Sequence, residues 1–599
     1  MAAKPTQDTR IGSLTTALGK DKLVLLRAIV SEGLSELFEI NIEALSTEAN
    51  LDFAKAIGEN CSVALKNYDG SQRYFSGILT ASQWTGTRNE YYSYRLTARP
   101  WLWLLSRSSD CRIFKDKTAL VIIKDVFAKH GLGGVTDLTG CKYEEIKYCV
   151  QYRETDLDFV CRLMEEFGIY YYFNHANGKH DLVLSDSLSS HLPKSGGEKL
   201  IYRPIPGSQR RKEEHLFNWA AERTFNTGKV ILNDYDFKQS ATSLLAEKSG
   251  GGGYRNDTLK IYDYPGRYKV QTQGETLARI KLEAEQAADK RCYADGDSVF
   301  CMPGSLITLA EHPHSSQNRR YLVVRASHSY SSDEYRTSTA GGGEEVYAGR
   351  YEFLPSDVPF RAPQVTPRPI VHGPQTAKVV GEGEIDVDKD GCIMVQFHWD
   401  RDKIQSRRVR IAQVWSGIKW GGIYIPRVGQ EVVVEFVEGD PDRPLVIGTV
   451  YNNEHPTPYP LPDEKTIAGV KSNSTTGGGG FNEFVFDDKK GSELVRMHAQ
   501  KDLAAKIEHD EARDVGNNVK IDIGNNKIVD IGNVWEVTAG TKIEFTVGQS
   551  KITMDPSSIT IKSPMITIKA DVKLDGSSPL TTIKGDATLI LKGGVVLIN

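Results

Sequence analysis

An eight-residue repeat near the C-terminal end constrains this 599-residue chain more than any other feature. From residue 514 the sequence divides into DVGNNVKI, DIGNNKIV, DIGNVWEV, TAGTKIEF and TVGQSKIT. The third position of every repeat is a glycine, and the five glycines are Gly516, Gly524, Gly532, Gly540 and Gly548. Because glycine tolerates the backbone angles of tight turns, each repeat is predicted to be a short strand followed by a turn.

Apolar and polar residues alternate within and after these repeats. A period of two puts aliphatic side chains on one face of a strand and Lys, Thr, Asp or Glu on the other. The aliphatic rows are predicted to form the core of a needle, with Ile523, Ile531, Ile543, Phe545, Ile559, Ile561, Ile566 and Ile568. Strands this short cannot bury an apolar face without stacked neighbours.

Two architectures supply those neighbours. In a three-chain β-prism each chain contributes one wall per layer, and no sheet edge stays free. In a single-chain β-helix one chain builds every wall, usually from repeats of six residues or from longer coils. Eight residues are few for a full coil, so we favour an intertwined homotrimeric needle.

The chain ends on an aliphatic run that is predicted to contact a partner. It consists of Val595, Val596, Leu597, Ile598 and Asn599. Three chains that end in this way leave open apolar edges, so we expect a capping partner at this tip.

Composition narrows the possible functions. The net charge of -4 and the lack of a long Lys/Arg run argue against a general nucleic-acid binder. The N-terminus is polar, without the apolar core of a signal peptide, so a chain that is cytoplasmic when assembled is expected. The eight cysteines show no CxxC pairing and are interpreted as reduced thiols rather than a disulfide or zinc framework.

The first 360 residues are predicted to be mostly β, with two helices. Residues 117–129 carry apolar side chains at helical spacing. In the second helix Thr155 is the expected N-cap and Gly168 the expected stop. Polar residues 498–515 are also compatible with a helix.

The sequence QYRETDLDFVCRLMEEFGIYYYF at residues 151–173, together with YDYPGRY at 262–268, carries a family resemblance. It resembles the hub region of the VgrG family, the valine-glycine repeat spike proteins of type VI secretion systems. That family is similar to phage tail hub and spike proteins fused into one chain. The resemblance implies two β-barrel hub subdomains whose trimer faces a stacked tube of Hcp hexamers.

Residues 377–453 are predicted to form five short strands, at 377–380, 393–398, 408–414, 431–436 and 445–450. Five strands suit an OB-fold barrel, and the motifs QFHWDR, WGGIYIPRVGQE and EGDPDRP resemble the barrel of the same family. His398 and Trp399 offer a surface on which a base or a sugar stacks, but without a basic track a scaffold role is favoured.

The predicted fold class is therefore mainly β: a hub of two β-barrels with helices, an OB-fold barrel and a C-terminal trimeric needle. The predicted domains are a hub at 1–360, a Pro-rich linker at 361–376, an OB-fold collar at 377–453, a neck with a Gly-rich segment at 454–513 and the needle at 514–599.

Two motifs were weighed as metal sites. Asp386, Asp388, Asp390 and Gly391 match the opening of an EF-hand loop, but Phe397 stands where that loop needs a Glu, so a turn is favoured. His312 and His314 lack further ligands. No cofactor, metal or catalytic motif is predicted, and the chain is not expected to be an enzyme.

These observations predict a structural spike of a type VI apparatus that punctures the target envelope, with transient membrane contact. The resemblance implies a PAAR-repeat tip protein with its effector, and baseplate components, as partners, with export that needs no signal peptide. The alternative is a phage-tail-like receptor-binding or glycan-degrading spike, which requires paired acidic residues. The acidic residues of the needle, Asp522, Asp530, Asp555 and Asp571, are explained mostly by turns.

Overall fold

The computed structural model describes residues 6–88, 90–204, 213–332, 345–476 and 478–598. The chain divides into two compact units, Met1–Asp502 and Leu503–Asn599. The predicted fold class, mainly β with a barrel-based hub and an OB fold, is confirmed.

The first unit begins with a six-stranded barrel. Its strands are β1 (Gly12–Thr15), β2 (Val24–Gly33), β3 (Glu39–Ser46), β4 (Asn60–Lys66), β5 (Gln72–Arg88) and β6 (Tyr91–Arg99). They pair in the order β1-β4-β5-β6-β3-β2, and β1 lies in contact with β2. Alternate side chains such as Ala28 and Val30 point inward and are buried, as the period of two in a strand requires.

A helical segment follows the first barrel. Its elements are α1 (Trp101–Leu104), β7 (Ser109–Phe114), β8 (Lys117–Thr118), α2 (Ala119–His130), β9 (Gly134–Asp137), β10 (Glu145–Ile146), β11 (Cys149–Thr155), α3 (Asp156–Phe167), β12 (Tyr170–Ala176) and β13 (Lys179–Ser185). Both predicted helices are present. Thr155 Oγ1 accepts a hydrogen bond from the Asp158 amide at 3.0 Å, and Gly168 ends α3 with φ of 72°.

The second half of the hub contains a second barrel. Its elements are β14 (Leu192–Pro193), β15 (Lys199–Tyr202), β16 (His215–Ala221), β17 (Lys229–Leu232), β18 (Ala246–Ser249), β19 (Lys260–Asp263), α4 (Gln271–Gln286), β20 (Cys292–Gly296), β21 (Ser305–Ala310), β22 (Arg320–Ser332) and β23 (Glu345–Pro355). The order β15-β16-β20-β23-β22-β21 closes on itself, because β21 pairs with both β22 and β15. Strand β2 pairs with β22 and joins the two barrels into one hub.

The prediction of only two helices in the hub was wrong, because α4 is a third long helix. Its buried positions are mostly small, among them Gly274 and Ala278, so its sequence lacks a strong apolar stripe. Gly274 is needed there, since a Cβ atom would lie 2.3 Å from the ring of Tyr268.

The OB-fold barrel contains β24 (Gln375–Val380), β25 (Met394–Phe397), β26 (Glu431–Phe436) and β27 (Pro444–Val450), in the order β25-β24-β26-β27. The predicted strand at 408–414 is not formed. Val409 and Ile411 make only isolated bridges, to Ile393 and Val446, because the chain crosses from one edge of the sheet to the other.

A three-stranded sheet closes the first unit: β28 (Ile467–Lys471), β29 (Glu483–Asp487) and β30 (Leu494–His498). It lies in the predicted neck, in which Gly477 is outside the described residues. The helix considered for residues 498–515 is absent. Apart from His498 in β30, these residues have no regular secondary structure, and Leu503 and Ile507 are exposed, so no apolar face is available to stabilise a helix.

Candidate functional site

The repeat segment, residues 503–598, is the candidate functional site. Its paired strands, among the residues described, are β31 (Ile543–Val547), β32 (Ser550–Asp555) and β33 (Ser558–Lys562), which form an antiparallel meander. The backbone bends or turns at each of the five repeat glycines. Of these five, Gly548 alone has a positive φ, 54°, and it lies in the turn between β31 and β32. In the described part of the segment, the first three repeats, residues 514–537, contain no paired strand.

The meander has one apolar and one polar face. Cross-strand pairing aligns Ile543 with Met554 and Ile559, and aligns Phe545 with Ile552 and Ile561. On the opposite face Glu544 accepts hydrogen bonds from Lys542 and Lys551, at 2.9 and 2.8 Å. These two cations lower the pKa of Glu544 to about 2. The alternation in the sequence therefore produces one apolar face and one polar face.

The predicted needle core is not covered within a single chain. Ile543 is half-buried, and the other seven side chains are 47 to 72% exposed: Ile523, Ile531, Phe545, Ile559, Ile561, Ile566 and Ile568. Soluble proteins rarely leave apolar rows of this length in water. What covers them is not part of this chain's own fold.

The predicted tip residues are also exposed. Val596 is half-exposed, and Val595, Leu597 and Ile598 are more than three-quarters exposed. Asn599 lies outside the described residues.

The hub and the OB barrel are joined by the GDPDRP loop. The Val150 amide donates to Asp442 Oδ1 at 2.6 Å, and Arg443 lies 3.2 Å from Asp234. Arg267 forms a third link, 3.2 Å from Asp440. Burial raises the pKa of Asp442, and the neighbouring Asp440 raises it further. This joint couples the OB barrel to strand β11 and to the loops that follow β17 and β19.

The two residues of the possible stacking surface, His398 and Trp399, have different surroundings. The Trp399 indole stacks on Phe397 and donates Nε1–H to Gln375 at 2.9 Å. It also packs against the Tyr152 ring of the hub. His398 is exposed, with Nε2 3.1 Å from Thr376 Oγ1. Since Trp399 is occupied by protein contacts, the pair does not offer a platform for a base or a sugar.

A group of buried charges lies at the junction of the two hub barrels. Arg73 Nη2 lies 3.4 Å from Glu32 Oε1, and the ring nitrogens of His328 and His175 lie 3.3 and 3.4 Å from the carboxylate. Burial favours the protonated carboxyl, but Arg73 and the two imidazoles outweigh it and hold the pKa of Glu32 well below its usual range. Burial lowers the pKa of both histidines, despite the nearby carboxylate.

The motifs weighed as metal sites make protein contacts. Asp386 pairs with Arg408 at 2.6 Å, and Asp388 accepts hydrogen bonds from the amides of Asp390 and Cys392, both at 2.9 Å. His312 Nδ1 accepts from the His314 amide at 3.1 Å. Within the described ranges, no group of three or more His, Cys, Asp or Glu residues is placed to hold a metal ion. The eight cysteines are unpaired.

Family models match three successive parts of the chain. Residues 31–334 match the phage tail baseplate hub (GPD) family. Residues 375–451 match the type VI secretion system/phage-baseplate injector OB domain. Residues 468–570 match the bacteriophage T4 gp5 C-terminal trimerisation domain.

Individual relatives extend the match to most of the chain. The type VI secretion system spike protein VgrG1c of Pseudomonas aeruginosa is 40% identical over 521 residues, 86% of this chain and 72% of the relative. VgrG1a of the same organism is 39% identical over 519 residues, 85% of this chain and 80% of the relative. The chain belongs to the VgrG family of type VI secretion spike proteins.

This identification confirms the family and the spike function predicted from the sequence. Among solved structures, the E. coli c3393 protein, a component of the type VI secretion system with similarity to the T4 tail proteins gp27 and gp5, matches with a TM-score of 0.52. It is 18% identical, and the match covers 73% of this chain and all of that one. At this identity the likeness shows a shared fold. VgrG is a structural spike family rather than an enzyme family, although a Vibrio cholerae relative, 32% identical over 80% of this chain and 44% of its own length, is named an actin cross-linking toxin.

Several important residues of this VgrG chain were not found by sequence reasoning. The buried Glu32 cluster is assembled from four strands far apart in sequence, and no local motif indicates it. The GDPDRP loop was noticed only for its family resemblance, although its two acidic residues, 440 and 442, and the basic residue 443 indicate a salt-bridged contact. No helix in the described part of the chain is long and apolar enough to cross a membrane.

Proposed function

We propose that three copies of this chain assemble into the spike of a type VI secretion apparatus, with residues 503–598 as its rod. The observation that carries the proposal is the set of uncovered aliphatic rows in a segment that overlaps the matched trimerisation family. Burying a side chain such as Ile561 or Phe545 contributes about 1.5–3 kcal/mol. A rod built from one chain leaves that contribution unused, whereas three chains cover one another's rows.

The role of the assembly is mechanical. Sheath contraction drives the spike outward, and the joint between hub and OB barrel transmits the force to the rod. We expect the hub to rest on an Hcp tube and to contact baseplate components. We expect the rod end to carry a PAAR-repeat tip protein with its effector and to touch the target membrane only transiently. We expect the chain itself to have no catalytic activity.

The primary test is the mass of the native assembly. Three chains of 66.6 kDa give about 200 kDa, which native mass spectrometry resolves from a monomer. A monomer at micromolar concentration would refute the proposal, because the exposed rows would then have no partner of the same chain.

A matched pair of variants tests the inner face of the rod. Ile566→Asp combined with Ile568→Asp places six carboxylates in the trimer interior, where unpaired charges are strongly unfavourable, so trimer and secretion should be lost together. Thr567→Asp, on the opposite face of the same segment, should leave both intact. A stable trimer from the double variant would show that the inner face is assigned wrongly.

The tip is tested separately with a purified PAAR-repeat protein. Replacing Val596 and Ile598 with Asp removes the apolar edge and should abolish co-purification while the mass of the trimer stays unchanged. Unchanged co-purification would remove the tip protein from the proposal.

Incubation of the trimer with cell-surface glycans addresses the rival function, since measurable cleavage would require a glycan-degrading spike.

A further inference from the structure

A hairpin that protrudes from the OB barrel has no role in the proposed function. Residues 413–424, the OB hairpin, leave the barrel after the bridge at Ile411. The Gln413 side chain donates to the Tyr424 carbonyl at 3.2 Å and accepts from its amide at 2.9 Å. Further out, Gly422 N–H donates to Trp415 O at 3.0 Å, and Gly417 N–H donates to Trp420 O at 2.8 Å. The hairpin is thus held in one conformation by its own hydrogen bonds.

The OB hairpin exposes more large apolar side chains than any other stretch of its length in the described first unit. The six are Val414, Trp415, Ile418, Trp420, Ile423 and Tyr424, with Ile418 89% exposed. The two indoles meet edge to face with centroids 4.9 Å apart. Lys419 is the one charged residue in the hairpin. A rigid apolar patch with paired tryptophans has the composition of a protein-binding hot spot.

The base of the hairpin connects it to the trimerisation segment. Arg427, three residues beyond the hairpin, pairs with Glu384 and donates from Nη2 to the Asn473 carbonyl at 2.6 Å. Asn473 lies within residues 468–570, the range that matches the trimerisation family. The hairpin therefore stands beside the place where the chain enters its interface with other copies.

A second uncovered apolar surface lies on the same part of the chain. One face of the β28–β30 sheet carries Val470, Phe484, Phe486, Val495 and Met497, all 43 to 61% exposed. The register places Phe484 between Val470 and Met497, and Phe486 next to Val495. This face has no charged side chain at its centre, so it matches the OB hairpin chemically.

Symmetry determines how the two surfaces can meet. In a cyclic trimer, contacts away from the three-fold axis are head-to-tail, so a patch there on one copy meets a different patch on its neighbour. The OB hairpin and the β28–β30 face are two such different patches, and each remains open in the single chain. We propose that the OB hairpin of each copy docks on the β28–β30 face of the next copy, which fastens the three first units to one another. This inference rests on the trimer of the proposed function.

Photo-crosslinking of the full chain tests the contact. p-Benzoylphenylalanine replaces Ile418, and in the control it replaces Val365, which is 74% exposed outside both surfaces. Mixed light and ¹⁵N-labelled chains distinguish links between copies from links within one. We expect light-dependent links from position 418 to peptides of residues 467–498 of another copy, and none from position 365. Links to other regions, to added phosphatidylglycerol vesicles, or to nothing would overturn the docking.

Failure of this inference is separable from failure of the proposed function. A native trimer without the expected link contradicts the docking only, whereas a native monomer contradicts both.

A double-mutant cycle adds a quantitative measure. Trp420→Ser and Phe484→Ser should each increase the trimer dissociation constant by about tenfold or more, and the double variant should do little worse than either single one. Fully additive effects would contradict a direct contact.

Because Trp420 and Phe484 are both exposed in the single chain, neither substitution should disturb its fold. Lys419→Ser, at the position before Trp420 in the same hairpin, is the matched control and should leave dissociation unchanged. An equal effect of this control variant would show that the hairpin acts through its own shape and not through apolar contact.

Discussion

Two strands with the same sequence pattern differ in the burial of their apolar side chains. In β26, Val432, Val434 and Phe436 alternate with partly exposed residues and are buried in the OB barrel. In β33, Ile559 and Ile561 alternate with polar residues in the same way, yet both stay exposed. The difference is the supply of a covering layer. The OB barrel contains its own covering layer around β26, whereas the repeat segment encodes a surface that only an assembly completes.

The largest expected effect comes from a matched pair of phenylalanine truncations. Phe436→Ala leaves a cavity in the OB core and should lower the free energy of unfolding by about 3–5 kcal/mol at any protein concentration. Phe545→Ala should destabilise the rod through three lost rings per trimer, and its effect should depend on concentration. Urea unfolding at two chain concentrations about a hundredfold apart measures both.

The stability loss of Phe545→Ala decides whether the rod depends on neighbouring chains. Phe545 is 51% exposed in the single chain, which predicts a loss near zero if the chain acts alone. A concentration-independent loss below about 0.5 kcal/mol would mean that the rod resembles an ordinary protein surface.

The buried charges of the hub provide the second test. Glu32→Ala leaves Arg73 buried without its carboxylate, and removal of one partner of a buried pair costs about 3 kcal/mol or more. The control is Glu48→Ala, whose partner Lys22 is at the surface, and it should cost less than about 1 kcal/mol. Thermal unfolding of the trimer, followed by the tryptophans of the first unit, compares the two variants. Equal losses would show that water reaches the Glu32 cluster.

Acid should destabilise the hub more than the rod. Burial lowers the pKa of His180 to about 3 and that of His191 to about 4, whereas an unfolded histidine titrates near pH 6.5. The unfolded chain therefore binds more protons below pH 6.5, and stability falls as the pH drops from about 6.5 to 4. The slope is about 1.4 kcal/mol per pH unit for each such histidine.

Urea midpoints between pH 7.5 and 4.5 measure this slope. His180→Gln keeps an acceptor for the Trp101 amide, which donates to Nε2 at 2.8 Å, but it does not titrate, so it should flatten the dependence. In the rod, the lowered pKa of Glu544 affects stability only below about pH 4.5. A slope unchanged by the Gln variant would assign the acid sensitivity to other groups.

Local signals made some elements predictable from sequence and left others out of reach. The helix α3 was predictable because its Thr155 cap and Gly168 stop act within one turn of the chain. Helix α4 was not, because Gly274 is explained only by the ring of Tyr268 packed against it. The apolar rows of the rod were predictable because apolar and polar residues alternate in the sequence. The Glu32 cluster was not, because it depends on strands brought together by the whole fold.

The repeat glycines give the smallest and most discriminating prediction. Gly548 has φ of 54°, so Gly548→Ala forces an L-residue into a left-handed conformation and should cost about 1 kcal/mol per chain. Gly524 has no positive φ and nothing lies within 4 Å of the position of a Cβ atom in the single chain. Gly524→Ala should therefore be neutral unless a neighbouring chain approaches that glycine. Thermal unfolding of the two trimeric variants separates these cases: a loss at position 524 as large as that at 548 would locate a chain-to-chain contact at the bend itself.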